Sequence, residues 1–323
     1  MMRNEQRNSP GVTTTISGLI NPHRSYDSWR ATRPTFVGAS ESPTLFGVGY
    51  SSQSPTTLAL SKLGLETESD REESEAMRWG TRLQDAIGEE FGERVGLDVK
   101  SLGPFTVVRS AQKPYIAATL DGYVDEPALG VVELKNVGAY NARDWDGDEP
   151  PLRVNVQVQH QMFCVGPGCG IAYVVGLIGG NQLSWKVVER HDRFIAALVQ
   201  RIDDFWGDIH AGKMPPIDGS EATSAALKSL YRATNGESIA LPHECELWDE
   251  KLQQAKAAIK VQEELKSEME NRIRAALGAA EMGVLPNGVM YVSPVTIVNH
   301  KAKEAFTSQF RALRRKAAHG RQS

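Results

Sequence analysis

The chain has no run of about 18 consecutive apolar residues, so nothing in it reads as a membrane-spanning helix. Its first residues lack an apolar signal core, and the expected location is cytoplasmic. Cysteine is scarce: 3 in 323 residues, Cys164, Cys169 and Cys245. Three thiols can build neither a disulfide framework nor a four-thiolate zinc or iron–sulfur site. Histidine is also sparse, with 7 in all. His160 has no second His or Cys at metal-ligand spacing, so it reads as a core residue. An excess of one charge is missing too, because 36 Lys and Arg stand against 40 Asp and Glu for a net charge of −4. The whole chain therefore has no basic footprint for nucleic acid, and any such binding must use local patches. An apolar share of 41% and a charged share of 24% are ordinary for a globular chain, and the length allows one large or two ordinary domains.

The chemistry-bearing stretch runs from Ala117 to Val137. Ala117 to Val124 and Val131 to Val137 read as two strands of a hairpin, joined through Glu126-Pro127-Ala128-Leu129-Gly130. The second run is short and rich in Val and Leu, the mark of a buried strand, yet it is interrupted by Glu133 and Lys135. Alternate residues share a face, so these two groups stand about 6–7 Å apart on one side. A hairpin would bring Asp121 across from Glu133. Two carboxylates make a hard-oxygen site suited to Mg²⁺ or Mn²⁺, and a lysine beside them can serve a water or a phosphate. Phosphodiester hydrolysis is the implied reaction. Taken alone, Glu-x-Lys is also what an ordinary solvated strand face looks like.

Residues 1–28 are polar without apolar period and are expected to form a flexible tail. Gly38-Ala39-Ser40-Glu41 reads as a helix start with Ser40 as N-cap, and with Arg33 nearby it would make a phosphate site. Thr57 to Leu63 reads as a short helix closed by Gly64, and Glu66 to Glu75 as an acidic, solvated loop or helix start. Leu83, Ile87 and Phe91 at spacings of four predict an amphipathic helix, around which Gln84, Asp85, Glu89 and Glu90 supply polar groups. A long loop, 138–152, precedes a helix over 154–165 that puts Gln157 and Gln161 on one face. Strands follow at 171–178 and 182–188, then a helix marked by Phe194, Leu198, Ile202, Phe205 and Ile209. The segment 213–242 reads as a linker. Beyond it, 244–277 is one long charged helix with a rough stripe through Leu247, Leu252, Ala255, Ile259, Leu265, Met269, Ile273 and Leu277 that could pair with another helix. A small β element at 286–298 and a basic tail from Lys301, suited to phosphate backbones, complete the chain.

Five short motifs stand in order at compatible spacings: Gly38-Ala39-Ser40-Glu41, Met77-Arg78-Trp79-Gly80, Thr119-Leu120-Asp121-Gly122, Val132-Glu133-Leu134-Lys135 and Val156-Gln157-Val158-Gln159-His160. Together they resemble the YqaJ-type viral recombinase family, which includes the phage lambda exonuclease and belongs to the PD-(D/E)XK nuclease superfamily. The resemblance covers about residues 29–212. It implies an α/β fold with a restriction-endonuclease-like core, a mixed central sheet flanked by helices, followed by a mainly helical C-terminal appendage. The implied domain layout is a tail over 1–28, a nuclease domain over 29–212, a linker over 213–242 and an appendage over 243–323.

The same resemblance implies a Mg²⁺-dependent exonuclease, with Mn²⁺ able to substitute, that degrades one strand of linear duplex DNA from 5′ to 3′ for single-strand annealing recombination. Asp121, Glu133, Lys135 and Gln157 would be the catalytic residues. Asp121, Glu133 and the Leu134 carbonyl would hold the metal. The family usually has a glutamate four residues after the glycine of its Trp-Gly motif, and here that position is Gln84. Gln84 itself, Asp85 or Glu89 would then complete the metal site. Arg33, Ser40 and Thr119 fall where relatives hold the terminal 5′-phosphate. Double-stranded DNA ends, an annealing protein and further copies of the chain in a toroidal trimer are the implied partners. If the gene is phage-borne, the compartment is the bacterial host's cytoplasm. Two alternatives remain at this stage: an endonuclease of the same superfamily, and a non-catalytic DNA-end-binding protein that kept the fold.

Overall fold

A computed structural model describes residues 15–65, 74–234 and 236–294. The chain divides into two compact units, residues 1–232 and 233–323. In the first unit, β1 (Leu19–Pro22), α1 (Tyr26–Arg30), β2 (Val37–Gly38), α2 (Pro55–Lys62) and α3 (Glu75–Val95) precede β3 (Thr106–Arg109), β4 (Ile116–Ala118), β5 (Gly122–Val124) and β6 (Gly130–Val137). Then come α4 (Leu152–Val165), β7 (Ile171–Ile178), β8 (Gln182–Glu189), α5 (Asp192–His210) and α6 (Glu221–Leu230). The strands form two four-stranded sheets, ordered β1-β3-β4-β2 and β5-β6-β7-β8. The second is mixed: β6 and β7 are parallel, while β5 and β8 run antiparallel to their neighbours. The chain is thus of the α/β class, with sheets flanked by helices.

The alternation of β6 builds both layers. Val132 and Leu134 face α3, where they pack with Ile87 and Phe91. Each such fully buried apolar side chain contributes roughly 1.5–3 kcal/mol. Val131 points the other way, into the cluster that holds Val154, Val158 and Met162 of α4. Glu133 and Lys135 share that second face, as period two requires. Local signals fix the helix ends: the Ser74 hydroxyl accepts from the Met77 N–H at the start of α3, and Gly96 closes it with φ +71. In α2, Ser54 and Thr57 form a capping box with Pro55 in the first turn.

Several expectations need correction. The run 117–124 is not one strand: β4 belongs to the first sheet and β5 to the second, with Thr119, Leu120 and Asp121 crossing between them. The β5 ladder stops at the Gly122–Val132 pair, and two residues on, the Leu134 N–H donates to an Asp121 carboxylate oxygen instead of to a strand. Ser40 is not an N-cap. A 3-10 turn spans Ser42–Phe46, Glu41 stands at its cap position without a side-chain capping bond, and the Glu41 carboxylate instead accepts from the Gly38 N–H at 2.6 Å. The stretch expected to be a tail contributes β1, paired antiparallel with β3 through Leu19–Pro22. The long loop carries a 3-10 helix over Ala139–Trp145, anchored by buried Trp145. Within the expected linker, α6 docks on α2 by a hydrogen bond from the Thr223 hydroxyl to that of Ser54 at 2.8 Å.

The second unit holds α7 (Glu244–Leu277) and a hairpin of β9 (Met282–Val284) and β10 (Met290–Val292). It is mainly helical; β10 falls within the β element expected over 286–298, but its partner is β9, which lies before that stretch. Residues 295–298, the basic tail and residues 1–14 lie outside the described residues. Among the described residues no helix is long and apolar enough to cross a membrane.

Candidate active site

Glu133 is 1% exposed, an uncommon place for a carboxylate, and its surroundings explain how it is kept there. One of its oxygens accepts from the Gln157 amide at 2.7 Å and the other from the Gln161 amide at 2.6 Å. The Lys135 ammonium lies 2.5 Å from the first oxygen and donates to the Gln157 amide oxygen at 3.4 Å. The i, i+4 spacing on α4 is what aims both amides at one strand residue. Asp121 stands on the β5 side of the same strand. One of its oxygens accepts from the Leu134 N–H at 2.9 Å and the other from the Gln84 amide at 2.7 Å.

The electrostatics follow from this crowding. Burial, and then the neighbouring Glu133 charge, raise Asp121 to about 7, while Lys135 and the Leu134 N–H offset the rise only in part. Burial acts to lower the Lys135 ammonium, but the charges of Glu133 and Asp121 overcome it and leave its pKa raised. In this arrangement the lysine is a donor. Two carboxylates that disfavour each other's ionisation are a donor set that a hard dication relieves, and Mg²⁺ characteristically takes one or two carboxylates with the remaining positions left to water and phosphate. Among the described residues no three His, Cys, Asp or Glu side chains gather where they could hold a metal ion.

A second polar cluster stands on the first sheet. The Glu41 carboxylate binds the Arg33 guanidinium through one oxygen, and through the other accepts from the Lys62 ammonium at 2.7 Å. Lys62 also donates to the Arg33 carbonyl at 2.9 Å. Burial works to raise Glu41, but Arg33 and Lys62 outweigh it and hold the carboxyl down at about 2. Arg33 lies over the rings of Trp29 and Phe36, at 5.4 Å and 5.5 Å to their centroids. The Trp29 indole N–H donates to the Thr119 hydroxyl at 3.1 Å. Thr119 is two residues before Asp121, so this bond ties the two clusters to one crossing segment.

The structure thus gathers Asp121, Glu133, Lys135 and Gln157 together, adds Gln84, and sets Arg33 and Thr119 around Trp29. Ser40 is exposed beside the Arg33 cluster in sequence. Asp85 and Glu89 are exposed on α3, turned away from the face that carries Gln84. Sequence reasoning undervalued Gln161, although its i+4 spacing from Gln157 marked it. It missed Glu41 and Lys62 as a pair, which only the packing of α2 brings together.

A family described as the YqaJ-like viral recombinase domain matches residues 28–167. The "Uncharacterized protein YqaJ" of Bacillus subtilis (strain 168) is 32% identical over 304 residues, which span 91% of this chain and 92% of that protein. The chain belongs to the YqaJ-like viral recombinase family. Among solved structures, LHK-Exo in complex with dAMP is similar with a TM-score of 0.49 and 22% identity, covering 58% of this chain and 93% of that one. The alkaline exonuclease LHK-Exo from Laribacter hongkongensis has a TM-score of 0.47 and 20% identity over the same shares, 58% and 93%. The match to the family includes both clusters of this YqaJ-family chain, since Trp29, Arg33 and Glu41 as well as Asp121, Glu133 and Gln157 lie within 28–167.

Proposed function

We propose that this chain is a divalent-metal-dependent exonuclease that degrades one strand of linear double-stranded DNA from its 5′ end and supplies the exposed strand to a single-strand annealing protein. Family membership supports a nuclease role in recombination. The observation that carries the reading is the pairing of half-buried Asp121 with buried Glu133, brought to either side of Leu134 with Lys135 ion-paired to Glu133. Asp121, Glu133 and the Leu134 carbonyl would hold Mg²⁺ or Mn²⁺. When bound, such an ion offsets charge on the carboxylates and on the scissile phosphate and makes water more acidic.

The chain's own groups do the rest. Gln157 and Gln161 fix the Glu133 carboxylate in one orientation, so that no rotamer search precedes the reaction. Lys135, held protonated between two carboxylates, donates to a phosphate oxygen or the attacking water and orients it. Gln84 anchors Asp121 without adding a third negative charge. Arg33, with Thr119 and Ser40, holds the terminal 5′-phosphate. Two cations against the single Glu41 leave that cluster with charge to spare for an anion, and the ring faces of Trp29 and Phe36 keep the guanidinium in place. A ring of copies threaded by DNA, the arrangement the family resemblance implies, would make degradation processive.

The test is a time course on linear duplex carrying a 5′-phosphate or a 5′-hydroxyl, and on closed circular DNA, with Mg²⁺, Mn²⁺ or chelator. Metal-dependent release of mononucleotides from linear DNA alone is expected, abolished in Glu133→Ala and Lys135→Ala. Arg33→Ala should narrow the preference for phosphorylated ends roughly tenfold or more, the scale of a lost charge-assisted contact. Nicking of circles would replace the reading with an endonuclease. Gln84 is the observation that favours a second reading, a non-catalytic DNA-end-binding protein, because an amide stands where the family usually has a carboxylate. End binding without nucleotide release under either metal would establish that one instead.

A further inference from the structure

The 34-residue helix α7 has no buried residue, yet it carries a largely apolar stripe. Leu252, Ile259, Leu265 and Met269 are between 40% and 56% exposed. The stripe keeps a seven-residue period: Leu252, Ile259, Lys266 and Ile273 form one row, and Trp248, Ala255, Gln262, Met269 and Ala276 the other. These are the two seam positions of a coiled coil. Only Gln262 and Lys266 interrupt the seam, one turn apart near its middle.

From this pattern we infer that α7 pairs with α7 of a second copy of the chain as an antiparallel two-stranded coil. The register is the one that sets Gln262 opposite the partner's Lys266. Two-fold symmetry makes that contact twice, and each amide oxygen accepts from an ammonium, so both polar seam residues are satisfied at once. The same register stacks Ile259 on the partner's Met269 and Ala255 on the partner's Ile273. On the flanks it sets Lys256 beside the partner's Glu270, again twice, and Leu265 beside its own symmetry mate. Glu263 meets its symmetry mate as the one like-charge contact, with Lys266 one turn away on each helix. At the end of the seam Trp248, 62% exposed, comes level with residue 280 of the partner, two residues before β9.

Other self-pairings fail on charge. A parallel pair puts Lys266 against Lys266 inside the seam and Lys251 beside the partner's Lys256. An antiparallel pair shifted by one heptad in one direction sets Asp249 beside the partner's Glu270 and Lys251 beside the partner's Arg272, and in the other direction sets Glu263 beside the partner's Glu270 twice. Along the same helix Lys260 pairs with Glu264 and Arg272 with Glu268, while Glu270 lies 3.8 Å from Lys266 and 3.3 Å from Arg274, so the partner's Lys256 would join a carboxylate already shared by two cations of its own helix. The pairing is independent of the nuclease reading.

Sedimentation equilibrium of the full chain tests it, with Lys256→Glu and Glu270→Lys made singly, mixed one to one, and combined. Each single variant places like charges face to face at two sites and should weaken α7 association by about tenfold. The double variant and the equimolar mixture of the two single variants both restore opposite charges across the pair and should restore the wild-type mass, twice that of the dissociated form. Residues 256 and 270 are fourteen positions apart, too far for restoration within one helix. Circular dichroism that stays helical in every variant separates lost pairing from lost folding. Association that ignores the single changes, or that neither the double variant nor the mixture recovers, overturns the proposal and assigns the stripe to a different surface.

Discussion

Replacing Asp121 by Asn should make the protein more stable at alkaline pH while removing the proposed activity. Burial and the adjacent Glu133 raise the Asp121 carboxyl from 3.8 to about 7 in the folded chain. An acid whose folded pKa lies above its unfolded one takes up a proton in the native state first, so stability rises as pH falls through 7 and the gain is complete near 3.8. Each pH step between 3.8 and 7 costs the ionised group about 1.4 kcal/mol, so that above pH 7 the whole penalty is roughly 4 kcal/mol. Asn cannot ionise. Its amide oxygen can keep the Leu134 N–H, and its amide N–H₂ meets Gln84, which can turn its own amide to accept. Imperfect hydrogen bonding in that exchange loses about 1 kcal/mol, leaving a net gain of about 2–4 kcal/mol at pH 8. Urea melts of both proteins in chelator, at pH 8 and pH 5.5, would measure it. The gap should shrink at the lower pH, and Mg²⁺ should raise the midpoint of the wild type but not of the variant. A variant less stable than wild type at pH 8, or a gap that does not change with pH, would refute the account of Asp121 as a charge held against its own preference.

Lys62→Met should destabilise the fold by about 3–5 kcal/mol, because it leaves the buried Glu41 carboxylate with Arg33 as its one remaining cation of the pair; a urea melt at pH 7 checks this. In the wild type Glu41, depressed to about 2 from 4.5, contributes stability that is fully present above pH 4.5 and lost as pH falls toward 2. His160 is lowered from 6.5 to about 4, chiefly by burial, with a backbone contact at Ala117 and the charge of Glu41 opposing that only in part. A base whose folded pKa is lowered contributes stability that is present above pH 6.5 and lost between 6.5 and 4, about 3 kcal/mol in all. His160→Leu should therefore gain on the wild type as pH falls from 7 to 5, whereas a constant difference between their melts would contradict this assignment.

The elements most legible in the sequence were those with a strong period or a strong interruption. Leu83, Ile87 and Phe91 predicted α3 because burial repeats every turn, and Glu133 with Lys135 predicted a site because two charges break a Val-rich strand. The stretch 117–124 misled for the opposite reason. Leu120, Tyr123 and Val124 suit a strand on either side of Asp121 and Gly122, and nothing in their type reveals that Asp121 leaves the ladder to take the Leu134 N–H, a decision made by a residue thirteen positions away. Ser40 misled similarly: it has the right chemistry for a cap, but the glutamate after it is claimed by Gly38, Arg33 and Lys62 and draws the backbone into a tighter turn. Long-range partners decide such cases, and local propensity has no access to them.

The same reasoning explains why α4 is polar where a core helix should be apolar. Gln157, Gln159, His160 and Gln161 are all buried on it. Gln157 and Gln161 neutralise the lone pairs of Glu133, while Gln159 donates to the Glu189 carbonyl at 2.7 Å and accepts from the His191 N–H at 2.9 Å, pinning α4 to the end of β8 and the start of α5. Apolar residues at these positions would pack as well and would remove the desolvation cost of each amide. They would also leave the buried Glu133 with Lys135 as the one donor of this set that remains, its second oxygen unsatisfied, at a cost of several kcal/mol. The polar row therefore fixes the position of one carboxylate against a helix that Gln159 ties to β8 and α5, and Glu133 keeps its place next to Asp121 because of it.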